Sequence, residues 1–261
     1  MTIRGTALSR EPDPPPSKPS KASVAGRRES NSLWELFPVE VRDRLQRHAK
    51  VVHLAVGRTV FRAHERPDAV YFPEGAVISR LVHLNNGQTL EVGLIGRDGM
   101  AGISVLPGTF MTYDGVVQIA GPALRVEAAA MAREIAHPGP AHEVLGRFAW
   151  TMLSHSIRSA ACSNFHSIGQ RCARWLLMMN DAVGQDDFPI TQDLLALMLG
   201  VRRASVTKVA QALQRSGIID YRHGHLRIRD RRGLETASCD CYQAMREDQE
   251  RCLGERWLPA T

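Results

Sequence analysis

The segment Ile190–Arg229, ITQDLLALMLGVRRASVTKVAQALQRSGIIDYRHGHLRIR, constrains this chain more than any other. Thr191 is a good helix N-cap, and Asp193 adds negative charge to the first turn, where the helix dipole favours it. Leu194, Leu195, Leu197, Met198 and Leu199 give that short helix its apolar side, and Gly200 lets the chain turn sharply. A second helix is predicted from about Arg202 to Ser216. Val206, Val209, Ala210 and Leu213 recur on one of its faces, while Arg202, Arg203, Ser205, Lys208 and Gln211 fall on the other. Gly217 ends it. Two β-type runs, Ile218–Arg222 and His225–Arg229, then meet at a turn on Gly224. Helix, turn, helix and hairpin make a winged helix-turn-helix, and its second helix has the length and cationic face to enter a DNA major groove.

A helix pair with a glycine turn also occurs in proteins that never meet DNA, so the charge around it matters. Nine Lys/Arg stand against four acids from Ile190 to Ser238, a local +5 in a chain whose formal total is +6. A basic patch this concentrated is the footprint expected of phosphate contact. His223 and His225 flank the wing turn, where they can donate to phosphates or simply face solvent.

The segment resembles the C-terminal domain of the Crp/Fnr family, the cyclic-AMP receptor and fumarate–nitrate regulators. The matching residues are Thr191, Leu194, Leu195, Leu199-Gly200-Val201, Arg203, Ser205, Val206, Leu213 and Gly217-Ile218-Ile219. Where the family reads Ser-Arg-Glu-Thr-Val at the start of its recognition helix, this chain reads Arg202-Arg203-Ala204-Ser205-Val206. The resemblance implies that Arg203 reads a base, that Ser205 contacts the backbone and that Lys208 is a second basic reader. Thr191, Gln192, Arg202 and His225 complete the expected DNA-binding set. Ala204 replaces the family's glutamate, which changes the expected target sequence.

Residues 1–31 read as a disordered tail, with five prolines among Ser, Lys and Arg and few large apolar residues. Order is expected from Ser32, with a short helix from Pro38 to about His48 carrying Val41 and Leu45. From Lys50 to Ala128 the pattern changes to short β-type runs punctuated by glycines. These are Val51–Val56, Thr59–Arg62, Ala69–Phe72, Val77–Leu84, Thr89–Ile95, Met100–Ser104, Val116–Ala120 and Ala123–Val126. Many short strands at near-regular spacing suggest a sandwich or barrel. The Tyr71-Phe72 strand before Gly75 and the run Gly96-Arg97-Asp98-Gly99-Met100-Ala101-Gly102 resemble the family's cyclic-nucleotide-binding roll, a double-stranded β-helix.

Pro138 and Pro140 break the chain, and a long helix is predicted from about Ala141 to Asn164. Leu145, Phe148, Ala149 and Met152 form one stripe; Trp150, Leu153, Ile157 and Ala160 form another. A surface helix needs a single apolar stripe. Two suggest that one packs on the β-roll and the other meets a second copy of the chain, and the family's parallel dimer helix implies the same. A further helix, His166 to Asp181, leads into the DNA-binding domain, and a short helix of mixed charge is expected near the C-terminus.

The expected architecture is therefore α+β. A jelly-roll-type sensor domain spans 32–139, a dimerisation helix 140–165, a winged helix-turn-helix 166–238 and a tail 239–261.

Cyclic-nucleotide binders of the family carry a Gly-Glu-Leu stretch and a later Arg-Ser-Ala or Arg-Thr-Ala. Here the corresponding stretches are Ile95–Gly102 and Tyr113–Gln118, which hold neither the glutamate nor the arginine. The roll is expected to have lost that ligand. The family's iron–sulfur members need cysteines near the N-terminus, and no cysteine precedes Cys162. Cys239-x-Cys241 is the nearest pair to a metal motif, but no second pair stands at zinc spacing, so no metal and no cofactor are expected. A cupin-like metal-dependent enzyme with an accessory helical domain is the alternative. It needs a His-x-His strand, whereas His53, His64 and His83 are isolated, and no catalytic residues stand out.

The five scattered cysteines suit a reducing cytoplasm better than a disulfide framework. No apolar run approaches a membrane span, and the first residues lack a signal-peptide core. The expected protein is a cytoplasmic, homodimeric transcription regulator and not an enzyme. It would bind inverted-repeat duplex DNA and work with RNA polymerase, with an unidentified effector or none.

Overall fold

The computed structural model describes residues 30–105 and 109–254. The expected tail lies outside them up to residue 29. Two short helices come first, α1 (Ser32–Leu36) and α2 (Val39–Gln46). Asn31 caps α1 by accepting from the Trp34 amide, and its Nδ2 donates to the carbonyls of Pro73 (2.8 Å) and Gly99 (2.9 Å). This buried amide fastens the start of the fold to the roll.

The roll follows: β1 (Ala49–Leu54), β2 (Thr59–Phe61), β3 (Ala69–Pro73), β4 (Val77–His83), β5 (Thr89–Ile95), β6 (Asp114–Ile119) and β7 (Gly121–Glu127). These strands form two antiparallel sheets, ordered β1-β7-β3 and β2-β6-β4-β5. Leu54, Phe61, Tyr71, Ile78, Met111, Tyr113 and Val117 fill the space between them. Met100–Ser104 is not the predicted strand. Ala101 alone bridges to Tyr71, because the chain leaves the extended path at Gly102 (φ +95°).

The helix α3 (Ala128–Ile135) closes one end of the roll, and α4 (Pro140–Phe165) crosses beside it. The first of these is built from alanines, the best helix formers, with Met131 and Ile135 buried. The long helix α4 buries Ala141, Val144, Leu145 and Phe148 against the roll's flank. A capping box between Ser167 and Gln170 opens α5 (Ile168–Val183), and Gly184 in the left-handed region ends it.

The remaining elements are β8 (Asp187–Pro189), α6 (Gln192–Leu199), α7 (Arg203–Arg215), β9 (Ile219–Arg222), β10 (His225–Ile228), α8 (Arg231–Ala237) and α9 (Cys241–Leu253). The hairpin gains a third strand, in the order β8-β10-β9. One apolar cluster joins α5, α6 and α7 to Val77, Leu81 and Ile119 of the roll, so the C-terminal domain is seated on the β2-β6-β4-β5 sheet. The last helix, α9, is no loose tail. It lies along α4, where Ser154 donates to Asp248 (2.6 Å), His155 Nε2 meets the Met245 carbonyl (3.1 Å), and Tyr242, Met245 and Leu253 are buried.

Candidate nucleic-acid interface

The helix pair is assembled by its caps. Thr191 accepts from the Leu194 amide at 3.1 Å and starts α6. Gly200, at φ +64°, ends it where a side-chain-bearing residue would be strained, and Arg202 caps α7 two residues later. Leu195, Ala196, Met198 and Leu199 of α6 share one apolar cluster with Val206 and Leu213 of α7, which leaves the opposite side of α7 to solvent.

That side carries the expected readers. Arg202, Arg203 and Lys208 are exposed, and Ser205 is half-buried in the first turn. The Arg203 guanidinium lies 3.2 Å from Asp193 on α6, both side chains being about two-thirds exposed. Gln192 accepts from the Thr207 hydroxyl at 2.6 Å, which holds it between the two helices. Thr191, Gln192, Asp193, Arg203, Tyr221, His223 and Gly224 line one open cleft of about 350 Å³ between the helix pair and the wing.

The wing turn explains itself by backbone geometry. His223 (φ +51°) and Gly224 (φ +78°) form a two-residue loop with both residues left-handed, while His225 pairs with Arg222 across it. This is the geometry of a type I′ hairpin, whose twist matches that of the flanking strands. The Tyr221 hydroxyl donates to the Ile190 carbonyl (2.9 Å), and the Ile190 amide donates to the Gly224 carbonyl (2.8 Å), so the wing is tied to the start of α6. His225 sits on the far side of that turn, its ring 3.7 Å from Asp187 on β8. It shares the wing with the cleft residues but does not line the cleft.

The basic surplus is unevenly available. Arg231 is committed to structure: it donates to Asp181 (2.7 Å), to the Tyr242 hydroxyl (2.5 Å) and to Asn180, tying α8 and α9 to α5. Arg227 pairs with Asp187, and Arg222 and Arg229 share Asp220. The hydrogen bond from Arg229, with the Arg222 charge behind it, holds the Asp220 carboxyl below the usual range. Among the described residues of this segment, Arg202, Lys208, Arg215 and Arg232 carry no ion pair; the first three lie on or beside α7, and Arg232 is exposed on α8. Sequence reading gave Asp193 only a helix-dipole role and passed over Tyr221.

The long helix divides largely as its two stripes suggest, except that Ala149, expected on the inward stripe, is exposed. Trp150 (62% exposed), Leu153 (49%) and Ile157 (63%) form an outward apolar row, with Ala160 exposed and Phe165 more exposed still. Trp150, Leu153, Ile157 and Phe165 line a groove of about 420 Å³. No helix among the described residues is long and apolar enough to cross a membrane.

Residues 170–237 match the Crp-like helix-turn-helix domain. No curated protein sequence matches the chain. Among solved structures, the fold is similar to that of a transcriptional regulator of the Crp/Fnr family from Eubacterium rectale, at 16% identity over 78% of this chain and 96% of that one, with a TM-score of 0.60. FixK2 from Bradyrhizobium japonicum is similar at 14% identity over 73% and 98%, with a TM-score of 0.63. The c-di-GMP-responsive global regulator CLP of Xanthomonas campestris is similar at 14% identity over 73% and 99%, with a TM-score of 0.58. These likenesses do not favour the cupin-like alternative.

Proposed function

We propose that this chain, a regulator of the Crp/Fnr type by its helix-turn-helix domain and its fold, is a homodimer that reads an inverted-repeat operator with two copies of α7. The observation that carries this reading is the solvent face of α7, where Arg202, Arg203 and Lys208 are exposed and Arg203 shares a cleft with Thr191 and Gln192. Arg203 is the base reader with Lys208 as the second basic reader, Ser205 is a backbone contact, and Arg202 and His225 contact phosphates. Asp193, 3.2 Å away and equally exposed, is a weak partner that Arg203 gives up readily on meeting DNA.

Two copies meet along Trp150, Leu153, Ile157 and Ala160. The division of labour follows: a roll over 32–139, a dimer helix over 140–165 and a DNA-binding domain over 166–238. The two recognition helices then enter successive major grooves about 34 Å apart. The protein acts by binding rather than by catalysis, works in the cytoplasm and touches RNA polymerase when it regulates.

Selection of bound sites from random duplex DNA with the full-length protein tests this. The expected result is a two-fold symmetric motif whose half-sites are centred one helical turn apart. Enrichment of no motif, or of an asymmetric single site, would overturn it.

A further inference from the structure

Four side chains that the sequence scatters meet at the junction of α4 and α5. Cys162 and His166 lie one turn apart at the end of α4, so they share a face. Cys239 and Cys241 flank Asp240, the N-cap of α9. The ligand atoms of all four lie within 4.8 Å of one another. Cys162 Sγ is 3.5 Å from Cys239 Sγ, and Cys241 Sγ is 3.5 Å from His166 Nδ1. A zinc tetrahedron with Zn–S of ~2.3 Å and Zn–N of ~2.0–2.1 Å has edges of roughly 3.5–3.8 Å. The side chains therefore stand close to the corners of such a site.

Cysteines also pack together as small apolar groups. Two features separate this cluster from simple packing. His166 turns Nδ1 into the cluster, and its other ring nitrogen, Nε2, lies 3.4 Å from the Asp240 carboxylate. A carboxylate behind the second nitrogen is the arrangement that orients a histidine ligand and strengthens it. Cys162, Cys239 and Cys241 are also nearly solvent-free, at 0%, 4% and 5% exposed, as the thiolates of a closed structural site are.

We propose that Cys162, His166, Cys239 and Cys241 bind one zinc ion. Four protein ligands complete a tetrahedron and leave no open position, so the site is structural and not catalytic. Each cysteine binds as a thiolate, its proton passing to solvent on loading. The α9 N-terminus, whose first residue is Cys241, offsets part of the resulting negative charge. His166 is also the C-cap of α4, and Ser167 begins the cap of α5. The ion would therefore pin the α8–α9 corner to the joint where the long helix hands over to the DNA-binding domain. The expectation of no metal at Cys239-x-Cys241 rested on the lack of a second pair at zinc spacing. Folding supplies that pair from Cys162 and His166, 77 and 75 residues away along the chain.

The full-length protein, purified under reducing conditions, is expected to hold about one zinc per chain by elemental analysis. After chelation, titration with cobalt(II) alone is expected to give thiolate charge-transfer bands and the intense visible bands of tetrahedral cobalt. Cys239→Ser with Cys241→Ser should lose both. Cys172→Ser and Cys252→Ser should keep both, and His166→Cys should keep the tetrahedral signature with a shifted charge-transfer band. The wild-type cobalt spectrum stands whether or not the double variant folds. Wild-type protein with no bound metal, octahedral cobalt, iron–sulfur absorption, a Cys162–Cys239 disulfide found by peptide mapping, or undiminished zinc in a folded double variant would each refute the site.

Discussion

The Trp175 indole donates a 2.7 Å hydrogen bond to the Glu91 carboxylate, joining α5 of the helix-turn-helix domain to β5 of the roll. The Ser79 hydroxyl on β4 donates to the other carboxylate oxygen at 2.5 Å, and Met198 of α6 lies against Ser79. This is a polar joint set in an otherwise apolar seat.

The joint should respond to pH near neutrality. Burial raises the Glu91 carboxyl to about 7, against the opposing hydrogen bonds from Ser79 and Trp175 and the charges of Arg80 on β4 and Arg174 on α5. A carboxyl whose folded pKa exceeds its unfolded value contributes most stability below the ordinary glutamate range. That contribution is lost as pH rises to about 7, and stability is level above it. The loss is on the order of 3 kcal/mol, since each pKa unit corresponds to about 1.4 kcal/mol. Urea denaturation from pH 5 to 8 should show this fall, and Glu91→Gln should flatten it. Identical pH profiles for the two proteins would locate the sensitivity elsewhere.

Changing the readers should separate affinity from base choice. Arg203→Ala is expected to lose ~1–3 kcal/mol on the best site and to flatten preference at one base pair per half-site. Arg202→Ala should weaken all DNA alike and lower the salt slope by about 1. The Asp193–Arg203 pair is too exposed to hold Arg203 back, being worth at most about 1 kcal/mol. Binding isotherms on the selected site and on single-base variants, at several salt concentrations, distinguish these effects. Unchanged base preference in Arg203→Ala would remove it from the interface.

The outward row on α4 should be the seam between two copies. Trp150→Glu or Ile157→Glu puts a charge where an apolar surface is to be covered, and burying an unpaired charge is costly. Both variants are expected to be monomeric at micromolar concentration and to lose high-affinity operator binding, while keeping the fold, because neither side chain is part of the core. Light scattering with circular dichroism reads both. A monomeric wild-type protein that still binds its operator would exclude the seam.

Local signals made the helix-turn-helix and its hairpin legible. Thr191, Gly200, Gly217 and the turn at Gly224 are backbone devices that act within a few residues, so their spacing is legible in the chain. The two-stripe pattern of α4 was legible for the same reason. What escaped depends on distant contacts. Met100–Ser104 has strand composition, yet Gly102 and a single bridge to Tyr71 stop it from pairing. The C-terminal helix looked like a mixed-charge tail because its partner, α4, lies some 90 residues earlier. Glu91, Arg80 and the cysteine cluster acquire their environments only after the roll, α4 and α9 come together. Arg97, in its glycine-rich turn, is half-buried against Gly184 at the end of α5, a contact that needs the roll and α5 to meet.

Cyclic AMP should not bind, and the interior of the roll supplies the reason. A cyclic phosphate leaving water needs a paired cation. Arg125 shares a face of β7 with Ala123 and stands opposite Tyr71 on β3, both of the roll's interior cluster, but its guanidinium is taken up by Asp68 at 3.1 Å. Asp114 accepts from the Ala63 amide at 2.7 Å and lies 3.2 Å from His83, so an acidic side chain, not a cation, occupies the stretch where the family places its arginine. The buried cation is Arg80, and it is engaged: it donates to the Val92 carbonyl (3.1 Å) and sits 5.6 Å over the Tyr113 ring, which packs edge-on against Phe61. The cavity between Arg80, Phe148, Thr151 and His155 holds only about 40 Å³. Small-molecule sites need roughly 300 Å³ or more, so a nucleotide would have to displace the aromatic plug as well as part Arg80 from Val92. Titration calorimetry with cyclic AMP and with cyclic GMP is expected to show no heat of binding up to millimolar ligand. Micromolar binding of either, abolished by Arg80→Ala, would show that the roll opens and that Arg80 serves as the substitute cation.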